Sequence, residues 1–581
     1  MNLNEVDPAI IEKAKAWLSE NYDEDTRKAV KNMMDNDPSE LVECFYRDIE
    51  FGTGGLRGIM GTGTNRMNKY VIGSATQGLA NYLRICYGPD FEIKVAIAYD
   101  SRNNSQFFAR VAAEVLAANG IKVFLFDNLR PVPELSFTVR HLGCQSGIVL
   151  TASHNPKEYN GYKVYWNDGG QLVPPHDSNV IDEVQKITSV TEVKFSGNPE
   201  NITLIGNEID KAYKDVLLKL ILSPDVIARQ QDLKIVYSPI HGTGYKLIPD
   251  VLKEFGFNNV FLVEEQITPD GNFPTVHSPN PEEKAAMNLA LELAKKVDAD
   301  LIMATDPDSD RVGIGVKDTH GNFILLNGNQ AASLLIYYLI KKWKANGKLT
   351  GNEFIAKTIV TSELLKDIAV SHGVESYDVL TGFKYIAEII RRFEGKKQFI
   401  GGGEESYGYL IGDFVRDKDA VASCALLAET AAWAKDQGMT MYEMLINIYH
   451  EYGFYLEDLI SITKKGKSGA EEIQKMMDDY RSNPPREIKG IKVLLVKDYK
   501  LRKETNLVTG EEKVIELPKS DVLQFFLEGG SKITVRPSGT EPKIKFYFGV
   551  KGLLPDKSKF EEVNAKMRIE LNEMIEALNL N

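Results

Sequence analysis

Apolar residues recur at helical spacing near the start of the chain. Ile10, Ile11, Ala14, Trp17 and Leu18 follow Asp7-Pro8, a helix-start signal, and residues 1–50 read as a helical extension that packs on the first domain. From residue 94 the pattern changes. Lys94–Tyr99 reads as a strand, Asp100–Ser105 as its loop, Phe107–Ala118 as a helix and Val123–Phe126 as a second strand. Ser146–Leu150 is a further short buried strand. Such alternation implies a mostly parallel sheet, whose functional loops lie at the carboxyl ends of the strands. The pattern restarts at the strand Leu233–Tyr237, after a long helix predicted over Ile209–Leu222, and includes the strand Asp300–Ala304. A third unit runs from Asn327 through the strand Gln398–Ile400. From Tyr455 the chain reads as a smaller α+β domain, with a helix near 470–480, strands at Ile491–Val496 and Ile544–Val550, and a final helix near Phe560–Leu578. The predicted division is 1–50, 51–222, 223–326, 327–454 and 455–581. The recurrence suggests three similar domains, but no sequence repeat is strong enough to prove it.

Chemistry gathers where predicted strands end. Thr151-Ala152-Ser153-His154-Asn155-Pro156 follows the strand Ser146–Leu150, so Ser153 sits where the chain turns and a hydroxyl can face a cleft. By itself it reads as a turn or cap serine, as most serines at strand ends are. Asp306-Pro307-Asp308-Ser309-Asp310-Arg311 is more informative. Three carboxylates at alternate positions crowd like charge into about 7 Å of chain. That crowding needs a cation, and oxygen-only ligands point to magnesium or calcium. An EF-hand would place glycine sixth and glutamate twelfth, where this chain has Arg311 and Lys317. A magnesium ion held by only three carboxylates keeps positions open for phosphate.

Arg536-Pro537-Ser538-Gly539-Thr540-Glu541-Pro542, after the strand Ile533–Val535, offers a guanidinium fork, hydroxyls and freed backbone N–H groups, as a phosphate cradle would. Gly401–Gly408, with Glu404, Glu405 and Ser406 after three glycines, suits the recognition of sugar hydroxyls. Phe51–Gly58 reads as a glycine-rich loop whose one charge is Arg57. It completes neither a Walker A nor a G-x-G-x-x-G motif. Lys163, on the strand after the serine turn, can return its amine to Ser153. His154 is a further candidate, although adjacent side chains in extended chain face opposite ways, which argues against a direct Ser–His pair.

Composition narrows the class. The 581 residues suffice for several domains, and 43% apolar with 26% charged residues is ordinary for a globular protein. A net charge of −13 argues against a nucleic-acid-coating protein but not against an anionic substrate. Cys44, Cys86, Cys144 and Cys424 are scattered and form no C-x-x-C pair. Each is expected to be a buried thiol in a reducing compartment. The acidic N-terminus is unlike a secretory signal, and the apolar runs are too short for a bilayer. A cytoplasmic protein without membrane or nucleic-acid partners is expected.

Thr151–Pro156, Asp306–Arg311, Gly403–Ser406 and Arg536–Pro542, in that order, resemble the α-D-phosphohexomutase superfamily: phosphoglucomutases, phosphomannomutases and relatives. The chain length, the helical N-terminus, Phe51–Gly58 and the Gly-Glu-Glu-Ser-Tyr-Gly loop look most like the phosphoglucomutase and phosphopentomutase branch. The resemblance implies three similar mixed-sheet α/β domains plus a smaller C-terminal α+β domain around a central cleft. It implies a phosphorylated Ser153, with Asp306, Asp308 and Asp310 and a phosphoserine oxygen holding Mg2+. Arg57 and Lys163 match positions near the phosphoserine, and Arg311 offsets charge there. Lys384 falls in the loop that helps choose the sugar, Glu404 and Ser406 bind its hydroxyls, and Arg536, Ser538, Gly539 and Thr540 grip the non-reacting phosphate. The implied reaction interconverts glucose 1-phosphate and glucose 6-phosphate, with glucose 1,6-bisphosphate as intermediate and activator. Pentose or mannose phosphates, and a glucose 1,6-bisphosphate synthase, are the alternatives within the class. A metal-dependent phosphatase and a non-catalytic sugar-phosphate-binding protein are the alternatives outside it. A monomer or homodimer is expected.

Overall fold

The computed structural model describes residues 2–50, 55–464, 466–538 and 543–580. The first sheet runs in the order Gly55–Ile59, Tyr159–Trp166, Ser146–Leu150, Lys94–Tyr99, Lys122–Phe126 and Ile202–Ile205. Its last four strands are parallel, and Tyr159–Trp166 is antiparallel to both its neighbours. Successive residues of a strand face opposite sides of the sheet. Ile97 and Ile148 therefore join Phe108 and Leu116 in one core, while Ala98 and Val149 join Leu135 and Val139 in another. The helices Ser105–Ala118 and Val132–His141 supply those two faces. Covering on both sides explains why Ser146–Leu150 is apolar without alternation and wholly buried. Each such aliphatic side chain contributes about 1.5–3 kcal/mol by leaving water.

A second sheet is ordered Phe323–Leu326, Val312–Lys317, Leu301–Thr305, Lys234–Ser238, Asn259–Leu262. The third is ordered Glu375–Val379, Glu353–Thr358, Gln398–Gly403, Tyr409–Ile411. All three share one device. The chain leaves a parallel strand, makes a short turn and returns as an antiparallel neighbour, from Leu150 to Tyr159, from Thr305 to Val312 and from Gly403 to Tyr409. Each turn holds one non-glycine residue at positive φ: Ser153 at 53°, Ser309 at 52° and Tyr407 at 67°. The similarity of the three domains is thus plain in the backbone. The fourth domain is an antiparallel sheet in which the edge strand Phe454–Thr463 pairs with Lys543–Gly552, and the helix Phe560–Ala577 packs on those two strands.

The N-terminal extension forms the helices Pro8–Ala16, Glu24–Asn36 and Pro38–Phe45. Asp7 caps the first by accepting from Ala9 N. Trp17 and Tyr22 pack on Tyr70 of the first domain, whose hydroxyl donates to Asp23 at 2.8 Å. No described helix is long and apolar enough to cross a membrane.

Four expectations are corrected. Gly55–Ile59, including Arg57, is an edge strand rather than part of a loop, because it pairs with Tyr159–Trp166. Gly401–Gly403 also belongs to a strand. There the missing side chains admit a neighbouring strand: a Cβ on Gly402 would lie 2.1 Å from Ala356 O. The predicted helix over 209–222 ends at Leu217 and tightens into a 3-10 turn, Leu218–Leu220. Cys86 is exposed near the end of its helix, whereas Cys44, Cys144 and Cys424 are buried.

Candidate active site

Ser153 stands on the turn between Leu150 and Tyr159, with Thr151 Oγ1 accepting its N–H at 2.8 Å. Its left-handed conformation costs about 1–2 kcal/mol, so surrounding contacts must hold it. The outcome is an aimed hydroxyl: Ser153 Oγ donates to Asp306 Oδ2 at 2.8 Å. His154 Nδ1 lies 3.2 Å from the same oxygen. Adjacent side chains diverge in extended chain, but the positive φ at Ser153 brings these two together. Burial, followed by the nearby Arg311 and Arg57, holds the His154 imidazole well below its ordinary pKa.

The acid triplet faces the serine. Asp306, Asp308 and Asp310 are buried, and each offers a carboxylate oxygen within 4.8 Å of the others. Asp306 Oδ1 accepts the N–H groups of Asp310 and Arg311 at 3.1 and 3.0 Å. Thr151 Oγ1 donates to Asp308 Oδ2 at 3.2 Å. Lys163 Nζ reaches Asp308 Oδ2 at 2.8 Å and Asp310 Oδ2 at 3.4 Å. Lys418, from the third domain, lies 3.1 Å from Asp310 Oδ2. Burial pushes the Asp306 carboxyl well above its ordinary range, and Asp308 and Asp310 add to the effect. The same burial at Asp310 is outweighed by Lys418, Lys163 and Arg311, which hold that carboxyl low. For Lys163, burial favours the neutral amine, but Asp308 and Asp310 prevail and keep the ammonium.

Asp308 Oδ1 and Asp310 Oδ1 are buried without a hydrogen-bond partner. Unsatisfied buried acceptors cost about 1–3 kcal/mol each, and more when charged. A hard divalent cation is the partner that such an all-oxygen set takes, so the residues fit magnesium. The backbone of this turn is fixed from three domains. Val132 N donates to Asp308 O at 2.9 Å, Thr243 N to Pro307 O at 2.8 Å and Ala420 N to Ser309 O at 3.2 Å. These donors stand at the N-termini of the helices Val132–His141, Gly244–Phe255 and Ala420–Asp436, whose positive ends suit an acidic turn.

The turn opens into a cleft of about 1240 Å3 with walls from all four domains. Arg57 lines it and donates Nη1 to Asn155 Oδ1 at 3.2 Å. Arg311 also lines it and is paired with Glu282. Glu404 accepts Gly382 N at 3.0 Å, and burial raises its carboxyl. Ser406 lies on the same wall. Arg536 also lines the cleft and donates Nη1 to Tyr547 Oη at 3.4 Å, with Lys545 paired beside it. Ser538 N donates to Lys543 O at 2.7 Å. Gly539 and Thr540 lie outside the described residues. Lys384 is not among the cleft-lining side chains. It stands on the helix Phe383–Phe393 with Nζ 3.9 Å from Asp177 Oδ2 of the first domain.

Lys418 escaped the reading of the sequence. Its signal was the charged run Arg416-Asp417-Lys418-Asp419 immediately before an apolar helix. Asp417 ties that run to the first domain by accepting from Tyr165 Oη at 2.7 Å and Gln171 Nε2 at 2.8 Å.

Models of the phosphoglucomutase/phosphomannomutase α/β/α domains I, II and III match residues 48–191, 211–321 and 327–452. A phosphoglucomutase of Staphylococcus haemolyticus is 39% identical over 506 residues, 87% of this chain and 91% of its own length. One from Staphylococcus aureus is 39% identical over 528 residues, 91% and 93% of the two chains. Among solved structures, the phosphoglucomutase parafusin of Paramecium superposes with a TM-score of 0.67 at 17% identity, covering 91% of this chain and 96% of that one. A phosphoglucomutase/phosphomannomutase family protein of Burkholderia thailandensis gives 0.62 at 19% identity, covering 91% and 97%. These two likenesses are of fold.

Proposed function

The chain belongs to the α-D-phosphohexomutase superfamily, and from that premise we propose that it is a phosphoglucomutase. It interconverts glucose 1-phosphate and glucose 6-phosphate through a phosphorylated Ser153, with glucose 1,6-bisphosphate as intermediate and activator. The observation that carries this reading is the Ser153 hydroxyl, 2.8 Å from one carboxylate of the acid triplet while Lys163 bridges the other two.

In the proposed cycle the phosphoserine 153 O–P bond breaks as a new O–P bond forms to the free hydroxyl of glucose 1-phosphate. The substrate hydroxyl gives up its proton, and the serine oxygen ends protonated. Asp306, Asp308 and Asp310 would hold Mg2+, which when bound supplies positive charge to the phosphoryl oxygens. Arg57, Lys163 and Arg311 oppose the remaining negative charge, the dominant need in phosphoryl transfer. Lys163 acts as a fixed charge, because two carboxylates keep it protonated. His154 orients the serine oxygen rather than taking its proton, since burial and two arginines disfavour the imidazolium. Glu404 and Ser406 read the sugar hydroxyls. Arg536 and Ser538, with Gly539 and Thr540, grip the phosphate that is not reacting; Lys384, outside the cleft lining, would act on the choice of sugar through the cleft-lining residues Thr381, Gly382 and Phe383 that precede it. The bisphosphate turns round in the cleft, and Ser153 takes back the other phosphoryl group. The cleft must exclude water meanwhile, or the phosphoserine hydrolyses.

Phosphorus NMR with glucose 1-phosphate, Mg2+ and a trace of glucose 1,6-bisphosphate tests the reading. A growing glucose 6-phosphate signal that stalls without the bisphosphate, and is lost in Ser153→Ala, is expected. Growth of inorganic phosphate alone, or turnover that survives Ser153→Ala, would overturn it.

A further inference from the structure

The carbonyls of the Ser153 turn converge on one side chain. Arg102, on the loop after the strand Lys94–Tyr99, donates Nη2 to Ser153 O at 2.5 Å and also to Asn155 O. Its Nη1 donates to Pro156 O at 2.9 Å and Tyr159 O at 3.1 Å. The guanidinium is fully buried, with Nε 3.3 Å from Asp100 Oδ2. Asp100 is anchored in turn: its Oδ1 accepts from Arg102 N at 3.0 Å and Ser105 Oγ at 2.7 Å. The second domain closes the far side. The Phe273 ring lies 5.1 Å from Arg102 Cζ, and Ser278 Oγ donates to His154 O at 3.1 Å. Gly271 sits so close that a Cβ there would meet Asn103 N at 2.3 Å.

We propose that Arg102 is a positioning residue for phosphoryl transfer: the serine turn folds around its guanidinium, which holds Ser153 in the left-handed conformation and thereby aims Oγ. The segment 271–278 of the second domain completes the clamp, so the serine is aimed only while the first two domains are docked. The catalytic part of this inference rests on the phosphoserine reading above; the clamp itself does not. Arginine is required because a rigid planar fork can meet several diverging carbonyls at once, whereas a lysine is a single nitrogen on a flexible stem. The contacts also supply what a non-glycine residue at positive φ needs, namely surroundings that over-determine it. Transfer depends on alignment, and a displacement of about 1 Å costs on the order of 100-fold in rate.

The test compares Arg102→Lys and Phe273→Leu with the wild type in the full chain, with Mg2+ and glucose 1,6-bisphosphate. Arg102→Lys should lower kcat about 100-fold while the KM for glucose 1-phosphate stays within about threefold, because the sugar and its distal phosphate are held by other domains. Phe273→Leu leaves the fork intact and should lower kcat about tenfold in the same pattern. The phosphoserine phosphorus resonance should broaden or split in both. Amide hydrogen exchange across 151–159 should quicken in both variants, with the rest of the first sheet unchanged. A kcat within about threefold of wild type in Arg102→Lys, a KM that rises in step with the loss, or unchanged exchange in the turn would overturn the proposal. A wild type that forms no phosphoserine would defeat the mutase reading instead, and hydrogen exchange would still decide on the clamp.

Discussion

Replacing Lys163 by methionine should move metal affinity and turnover in opposite directions. The ammonium lies 2.8 Å from Asp308 and 3.4 Å from Asp310, so it competes for carboxylates that a divalent cation needs. A unit charge pair at about 4 Å is worth about 4 kcal/mol at an effective dielectric near 20. If only about 1.4–2.8 kcal/mol of that survives water entry and rearrangement, magnesium should bind about 10- to 100-fold more tightly to Lys163→Met. Without metal the variant leaves a buried carboxylate unpaired, at a cost of about 3–5 kcal/mol. It should therefore melt lower than wild type in chelator and recover more when magnesium is added. Turnover should still fall about 100- to 1,000-fold, the usual loss when one preorganised positive group is removed from a charged transition state. Calorimetric titration at pH 8, melting with and without chelator, and steady-state kinetics read the three effects. Magnesium binding that weakens or stays the same in the variant would show that Lys163 does not occupy the metal's ligands.

Three other substitutions separate the parts of the site. Arg536→Gln should raise KM for both sugar phosphates about 10- to 100-fold, the worth of a hydrogen bond to a charged partner, with a smaller change in kcat by steady-state kinetics. Glu405 is pushed up to about 7 from an ordinary 4.5, first by burial and then by Glu404. A carboxyl raised in the folded state contributes stability that is present below pH 4.5 and is lost as the pH rises through 7. Glu405→Gln should therefore melt progressively higher relative to wild type between pH 5 and pH 8, and parallel curves would contradict this. Ala420→Pro removes an N–H that holds Ser309 O. Proline fits the first position of a helix, and Asp419 before it is already extended at φ −128° and ψ 94°. The helix should persist by circular dichroism, while stability falls by about 1–3 kcal/mol in denaturant melts.

The strands that carry the chemistry were legible because each is a short apolar run ended by a turn signal. Ser146–Leu150 and Lys94–Tyr99 appear with the bounds read from the pattern. Arg57 was misplaced in a loop because a glycine-rich edge strand has no apolar alternation to mark it. Its strand character comes from pairing with Tyr159–Trp166, about a hundred residues away. Lys418 was missed because a lysine in a charged run carries no local mark of its partner. Asp310 is supplied by another domain. The contact between Ser153 and His154 is not legible in the sequence, because φ at one residue decides whether adjacent side chains diverge or meet, and local pattern does not fix that φ.

Local pattern supplies the inventory: an acid triplet with the chemistry of a hard-cation site, a serine at a strand end, arginines beside glycines, and apolar periods that build sheets covered by helices. Which of these act together is set by the packing of the domains. It sets Ser153 2.8 Å from Asp306 across 153 positions of chain, and it lets donors from three domains fix three successive carbonyls of the acidic turn. The reason is physical. Local pattern fixes what a segment can bury and donate, whereas the distance between two segments is set by how whole sheets and helices pack, a sum over many residues that no single motif contains.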